Sequence, residues 1–290
     1  MSGLSEKVAI VTGGVSGIGA ELTRKLIREG WRVAALDIAS QGHLAQNLLD
    51  ELGENFMFCQ CDISHYNEQA SAFSAVFRKC GRIDALCANA GIIDRSSIYI
   101  LKWRGKTEIP PEPDLSCTDV CMKATIYGVQ LAIHFIRQNP TPGGSIVATS
   151  SMVAVHPVAS FPEYSGAKAG INGFVRACAP YLQFKENITI NTVCPGVVPT
   201  QFISQHMRDT FGEDSLTPAS TIVGAYWKCL NDRSLNGEFI ECSRDQHFIL
   251  KRPEYADGEV SKRTTTVYDP YFVTIHGEPS GLPDIVRKRA

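Results

Sequence analysis

The sequence has no excess of basic charge. Its 28 lysines and arginines face 30 aspartates and glutamates, for a formal charge of -2. A chain that grips nucleic acid through its phosphates needs a cationic face, and nothing here supplies one. No apolar run approaches the roughly 18 residues of a membrane span. No cleavable leader is expected: residues 1–7 are few and polar and lead straight into strand-like sequence. These gaps argue against nucleic-acid binding, membrane spanning and secretion, and predict a cytoplasmic protein. Internal repeats and low-complexity blocks are also absent. Cysteine is plentiful, with 10 residues, yet no pair has the two-residue spacing of a zinc site. Cys59 and Cys61 share one face of a predicted strand, but no second Cys/His pair completes a ligand set. Most of the others lie in apolar segments, as buried free thiols do. Neither a metal nor a disulfide is expected.

What the sequence does contain is alternation. Short runs rich in Val, Ile, Ala and Phe occur at 8–11, 32–36, 55–60, 85–87, 145–149, 188–193 and 238–242. They read as strands. Helical stretches fit 18–29, 44–51, 67–79, 118–137, 164–184 and 218–230, the last with Thr217 as N-cap and Pro218 in the first position. Such alternation predicts an α/β fold, a parallel sheet covered by helices on both faces. Ligands then sit beyond the carboxyl ends of the strands. Two segments break the rhythm. Residues 94–116 are polar and carry Pro110, Pro111 and Pro113; residues from 257 onward show little periodicity. The expected layout is one domain over 1–256, with 94–116 as an inserted loop, followed by an extension over 257–290.

The first strand runs into Thr12-Gly13-Gly14-Val15-Ser16-Gly17-Ile18-Gly19, and a helix starts inside this stretch. Glycines let the chain turn tightly and let a pyrophosphate approach the backbone, while the helix N-terminus offers N–H donors. Gly13, Ser16, Gly17, Ile18 and Gly19 are therefore cofactor-binding candidates. Asp37, at the end of the second strand, can accept hydrogen bonds from ribose hydroxyls and would repel a 2′-phosphate. No Lys or Arg stands at Val15 or Ile38 to attract one. The expected cofactor is NAD rather than NADP. Asp62, with its neighbour Ile63, is placed to meet the adenine; Asn89-Ala90-Gly91 is placed to wall the adenine ribose.

The fifth strand ends at Ser150-Ser151, and Tyr164 and Lys168 follow, four residues apart. On a helix that spacing puts both on one face. A free tyrosine titrates near 10, too high for a base at neutral pH. A neighbouring ammonium stabilises the phenolate and lowers that value. Tyr164 can then exchange a proton with a substrate oxygen that Ser151 also binds. Lys168 can in addition hold the nicotinamide ribose.

The glycine turn, Asn89-Ala90-Gly91, Ser151, Tyr164 with Lys168, and Pro195-Gly196 together resemble the short-chain dehydrogenase/reductase family over about residues 5–245. The resemblance implies a single Rossmann-fold domain with a doubly wound, seven-stranded parallel sheet. It also implies a homodimer or homotetramer paired through the long helices, acting on a small-molecule substrate. Tyr164 would be the acid/base, Lys168 its tuning partner and Ser151 the substrate-orienting hydroxyl. Pro195, Gly196, Val198 and Thr200 would line the nicotinamide. Residues 200–216, where Phe202, Ile203, His206, Met207 and Phe211 have amphipathic spacing, would cover the substrate as a lid. Val153, His156 and Phe202 are further substrate candidates. The stretch 236–242 is similar to NAD-dependent 15-hydroxyprostaglandin dehydrogenases and to fungal enzymes of specialised metabolism. One departure stands out: Cys121 occupies the position where many members carry an Asn, and a thiol cannot copy an amide. Cys121 is thus itself a site candidate. The expected activity is NAD(H)-dependent interconversion of a secondary alcohol and a ketone. An isomerase or cyclase without net redox, and a non-catalytic NAD-binding protein, are the competing readings.

Overall fold

The structure is a computed structural model that describes residues 6–286. Most of the polar N-terminus (1–5) and the last residues of the extension (287–290) lie outside the described residues. The strands are β1 (Val8–Thr12), β2 (Arg32–Asp37), β3 (Phe56–Gln60), β4 (Ala85–Ala88), β5 (Gly144–Thr149), β6 (Ile188–Pro195), β7 (Phe239–Ser243) and β8 (Gln246–Ile249). They form one sheet in the order β3-β2-β1-β4-β5-β6-β7-β8. The order reverses between β1 and β4, which opens a crevice at the carboxyl ends of these strands.

The sheet has eight strands, not the expected seven. The additional β8 pairs antiparallel with β7 in a hairpin. Arg244 makes the turn with a left-handed φ of 54°. Every residue of β8 is exposed, so no apolar run marked it in the sequence. The inner strands are buried on both faces, and alternate residues serve opposite layers. Val8 and Ile10 pack with α3 (Tyr66–Cys80), α5 (Ala124–Ile136) and α6 (Pro162–Glu186); Ala9 and Val11 pack with α1 (Gly17–Arg28) and α8 (Ala219–Asn231). α2 (Gly42–Leu52) covers the β3 edge, where Leu48 meets Phe56.

Two helix expectations need correction. The predicted continuous helix over 118–137 is interrupted. A short α4 (Ser116–Thr118) leads into a π-helical turn at Asp119–Lys123 before α5 begins. There the Thr125 hydroxyl donates to the Cys121 carbonyl at 2.7 Å. Thr217 does not cap α8, because Pro218 holds the N-cap position. The Thr217 hydroxyl instead accepts from the Arg244 N–H at 3.1 Å and so braces the β7–β8 turn.

Residues 200–216, expected as a lid, contain α7 (Gln205–Phe211), capped by Ser204 accepting from the Met207 N–H. The extension has more order than its aperiodic sequence suggests: α9 (Gly258–Thr264), α10 (Asp269–His276) and a two-stranded parallel sheet of β9 (Val267–Tyr268) and β10 (Ile285–Val286). It docks on the far end of α6. The Tyr181 hydroxyl bonds Glu278 Oε1 at 2.9 Å, and the Phe272 ring lies 5.3 Å from the Tyr181 ring.

Candidate active site

At the crevice, Gly13 and Gly17 adopt left-handed φ values of 63° and 49°, a conformation open to glycine at little cost. A side chain on Gly19 would collide with the Gly13 carbonyl. Ser16 precedes α1 in extended conformation and makes no side-chain cap, so the first-turn N–H groups of α1 await an acceptor from outside the helix. Ile18 packs partly into the core beneath. Asp37 stands at the end of β2, beside the glycine turn. Its Oδ1 accepts from the Ile38 N–H at 3.0 Å and its Oδ2 from the Val15 N–H at 3.4 Å. Burial pushes its carboxyl up from the usual range, and the two N–H bonds oppose that only in part.

Asn89 stitches β4 to the glycine turn: its N–H donates to Thr12 Oγ1 at 3.0 Å and its side-chain amide to the Thr12 carbonyl at 3.1 Å. Asp62 spends one carboxylate oxygen on the Ser64 N–H and hydroxyl. Burial pushes Asp62 up, but the Ser64 bonds and His65 prevail and hold it below the usual range. Ile63 is buried, and its carbonyl accepts from Gln69. Opposite them, Pro195 ends β6 and the Gly196 N–H donates to the Cys242 carbonyl at 3.0 Å. Val198 is buried and accepts from the Thr200 N–H at 2.8 Å. The Thr200 side chain comes within 3.3 Å of the place where a Cβ on Gly17 would lie. A glycine cradle, an uncapped helix N-terminus and a carboxylate at the next strand end therefore face one crevice. That set of donors and acceptors fits a dinucleotide.

Ser151, Tyr164 and Lys168 converge beside it. Ser151 follows β5 and is buried, and its hydroxyl helps to draw the Tyr164 phenol down. Lys168 Nζ lies 5.5 Å from the Tyr164 ring centroid and donates to the Thr149 carbonyl at 2.7 Å. Burial pushes the Tyr164 phenol above its ordinary value; Lys168 and the Ser151 hydroxyl pull it down without prevailing. The lowering expected from Lys168 is thus present but outweighed. Burial alone would depress Lys168, yet negative charge on Cys121 and Tyr164 keeps its pKa raised. The Phe202 ring is 6.1 Å from the Tyr164 ring. Val153 is half-buried and donates its N–H to Ser151 Oγ, while His156 is exposed. Cys121 is fully buried and presents no surface to a ligand. Gly91 separates it from Lys168.

The family profile described as short chain dehydrogenase matches residues 7–210. The chain belongs to the short-chain dehydrogenase/reductase family. It is 44% identical to short-chain dehydrogenase/reductase prx6 of Penicillium rubens over 292 residues, covering 97% of each chain. It is 32% identical to the rat (Rattus norvegicus) 15-hydroxyprostaglandin dehydrogenase [NAD(+)] over 264 residues, 83% of this chain and 93% of that one. It is 28% identical to short-chain dehydrogenase/reductase ascJ of Acremonium egyptiacum, covering 85% and 81%.

In this short-chain dehydrogenase, several residues that hold the site escaped the sequence reading. Asp94 accepts from the N–H of Tyr164 at 2.8 Å and of Glu163 at 2.9 Å. It thereby caps α6 at the residue that carries the phenol. Glu163 in turn accepts from the Thr118 N–H and hydroxyl, both at 2.8 Å. Asp94, Glu163 and Cys117 bring ligand-type atoms within 4.8 Å of one another, but these bonds already engage the carboxylates. Tyr226, fully buried on α8, bonds the Thr149 hydroxyl at 2.6 Å and supports the end of β5 from the other face. Thr12 had one readable signal, its place at the head of the glycine turn. Asp94 and Tyr226 had none, because their partners are far away in sequence.

Proposed function

We propose that this short-chain dehydrogenase is an NAD(H)-dependent oxidoreductase that interconverts a secondary alcohol and a ketone. The observation that carries the reading is the convergence of Ser151, Tyr164 and Lys168 at the end of β5, next to the glycine turn. In ketone reduction, Ser151 holds the substrate oxygen by a hydrogen bond, and the Tyr164 phenol gives its proton to that oxygen. Lys168 stabilises the phenolate left behind. Alcohol oxidation runs the same steps backwards, with Tyr164 taking the proton. When bound, the nicotinamide ring supplies or accepts the hydride at the substrate carbon. Gly13, Ser16, Gly17, Ile18 and Gly19 would hold its pyrophosphate; Asp37 would bind the adenosine ribose and Asp62 and Ile63 the adenine. Asn89, Gly91 and Lys168 would line the riboses, and Pro195, Gly196, Val198 and Thr200 the nicotinamide.

Asp37 favours NAD over NADP, since a carboxylate there meets ribose hydroxyls well and a 2′-phosphate badly. The rat relative carries NAD(+) in its name, which supports the same choice. Phe202 lies beside Tyr164, and the half-buried Val153 adjoins Ser151, so apolar side chains flank the acid/base group. We therefore assign a substrate with a sizeable apolar body. No helix among the described residues is long and apolar enough to cross a membrane. We place the enzyme in the cytoplasm, as a homodimer or homotetramer joined through α5 and α6.

The test is a side-by-side fluorescence titration with NADH and NADPH, followed by a screen of secondary alcohols and ketones. Tight NADH binding with weak NADPH binding is expected. Tyr164→Phe should keep NADH binding and lose at least about 100-fold in kcat. Binding of neither nucleotide, or full activity in Tyr164→Phe, would overturn the assignment.

A further inference from the structure

Lys168 is an ammonium with 2% of its surface exposed. Its hydrogen bond goes to a neutral carbonyl, that of Thr149, and among the described residues it forms no ion pair with a carboxylate. A buried charge without a counter-ion is costly. The group beside it is Cys121. A Cβ on Gly91 would lie 3.2 Å from Lys168 Nζ and 3.4 Å from Cys121 Sγ, so nitrogen and sulfur flank the same small space.

Cys121 belongs to a pair. It sits in the π-helical turn, with Cys117 one turn earlier, and both are fully buried. Each sulfur reaches the Ile92 carbonyl, at 3.0 Å from Cys117 and 3.4 Å from Cys121, so one acceptor holds the two thiols side by side. A carbonyl oxygen has two lone pairs, so both neutral thiols can donate to it. Once Cys121 is deprotonated, the Cys117 S–H can turn from Ile92 to the Cys121 sulfur. A donor for a thiolate is therefore in place on one side and a cation on the other.

We propose that Cys121 is a positioning residue of the reaction, its thiolate acting as counter-ion to Lys168 and so setting how much of the lysine charge reaches Tyr164. The proposal rests on the reading of Tyr164 as the acid/base. With the thiolate present, Lys168 is neutralised in part and Tyr164 keeps its proton, the form that donates to a carbonyl. With a neutral group at 121, the full ammonium charge favours the phenolate. The other groups facing the pair are Glu163 and Tyr164 from α6, Cys194 from β6, on the Lys168 side, and Asp94 from the segment 94–116. The thiol of Cys121 is drawn down first by the neighbouring Cys117, against burial and with help from Lys168, and Glu163 opposes. Cys117 is pushed up first by Cys121, then by burial, and by Glu163 and Asp94.

The experiment needs neither substrate nor cofactor. The phenolate absorbance of Tyr164 is isolated as the difference between a chain and its Tyr164→Phe counterpart. It is titrated with Cys121 intact, in Cys121→Ser, in Cys121→Asp and in Cys117→Ala. Cys121→Ser should lower the Tyr164 midpoint by about one pH unit, a tenfold change in ionisation. Cys121→Asp, which keeps an anion there, should restore it, and Cys117→Ala should fall between. The ultraviolet thiolate band of the intact chain near neutral pH should disappear in Cys121→Ser. An unchanged Tyr164 midpoint in a Cys121→Ser chain with a native melting curve would overturn the proposal, as would the lack of a thiolate band. If Cys121→Ser does not fold, an unchanged midpoint in Cys117→Ala decides against it. Activity retained in Tyr164→Phe would sink the acid/base reading while leaving this titration intact.

Discussion

Two forces compete at the Tyr164 phenol. Burial disfavours the phenolate, while the Lys168 ammonium and the Ser151 hydroxyl favour it, and burial prevails. The phenol therefore holds its proton at neutral pH. Ketone reduction needs that proton, so its rate should stay flat through neutral pH and fall as pH rises past the ordinary tyrosine value of about 10. Alcohol oxidation needs the phenolate and should climb over that same range. Rates measured in both directions across pH check this, and an oxidation rate already level at neutral pH would contradict it. Gly19 is a sharper constraint. Its missing side chain leaves room for the Gly13 carbonyl and the Asn89 amide. Gly19→Ala is expected to abolish NADH fluorescence binding while far-ultraviolet circular dichroism stays native.

At the scale of elements, the helix that carries Tyr164 and Lys168 is capped from outside. α6 has no side-chain cap of its own at Phe161, and Asp94 supplies both acceptors from the inserted loop. Asp94→Ala should cost about 1 kcal/mol of stability, the usual worth of a lost cap, and should lower kcat because the backbone of Tyr164 is no longer pinned. Asp94→Asn keeps one carbonyl acceptor and should fall between. Urea denaturation midpoints and kcat of the two variants give the comparison; native values for Asp94→Ala would refute the coupling. The π-helical turn is the companion device. It brings Cys117 and Cys121 to the Ile92 carbonyl.

For the molecule as a whole, the sheet order lines up the phosphate, ribose and acid/base candidates along the carboxyl ends of β3, β2, β1, β4 and β5, on either side of the reversal. The additions to that frame differ in how they attach. The extension holds the far end of α6 through Tyr181, Glu278 and Phe272. The segment 94–116 is tied to the stretch before α6: the Tyr99 hydroxyl donates to the Ala159 carbonyl at 2.9 Å, and Ile98, Ile100 and Leu101 are exposed. Deleting residues 102–113 should raise KM for the substrate and leave NADH affinity unchanged. An unchanged KM would remove the loop from substrate recognition.

Local order was enough for much of this. Strand–glycine turn–helix, a carboxylate at the next strand end, and a Tyr and Lys four residues apart on a helix are features of adjacent residues. Backbone sterics and helical period fix their geometry, so the sequence alone determined the fold class and which residues stand as candidates for cofactor binding and acid/base work. Tertiary structure decided the rest, because those contacts join distant segments. Asp94 meets the N–H of Tyr164, Tyr226 supports Thr149 across the sheet, and Cys121 faces Lys168 past Gly91. β8 and the extension were illegible for another reason: their residues are largely exposed, and a solvated segment leaves no apolar period to read. The sign of the net shift at Tyr164 was beyond the sequence as well. It depends on how deeply the phenol is buried, a property of the packed molecule that residue spacing does not encode.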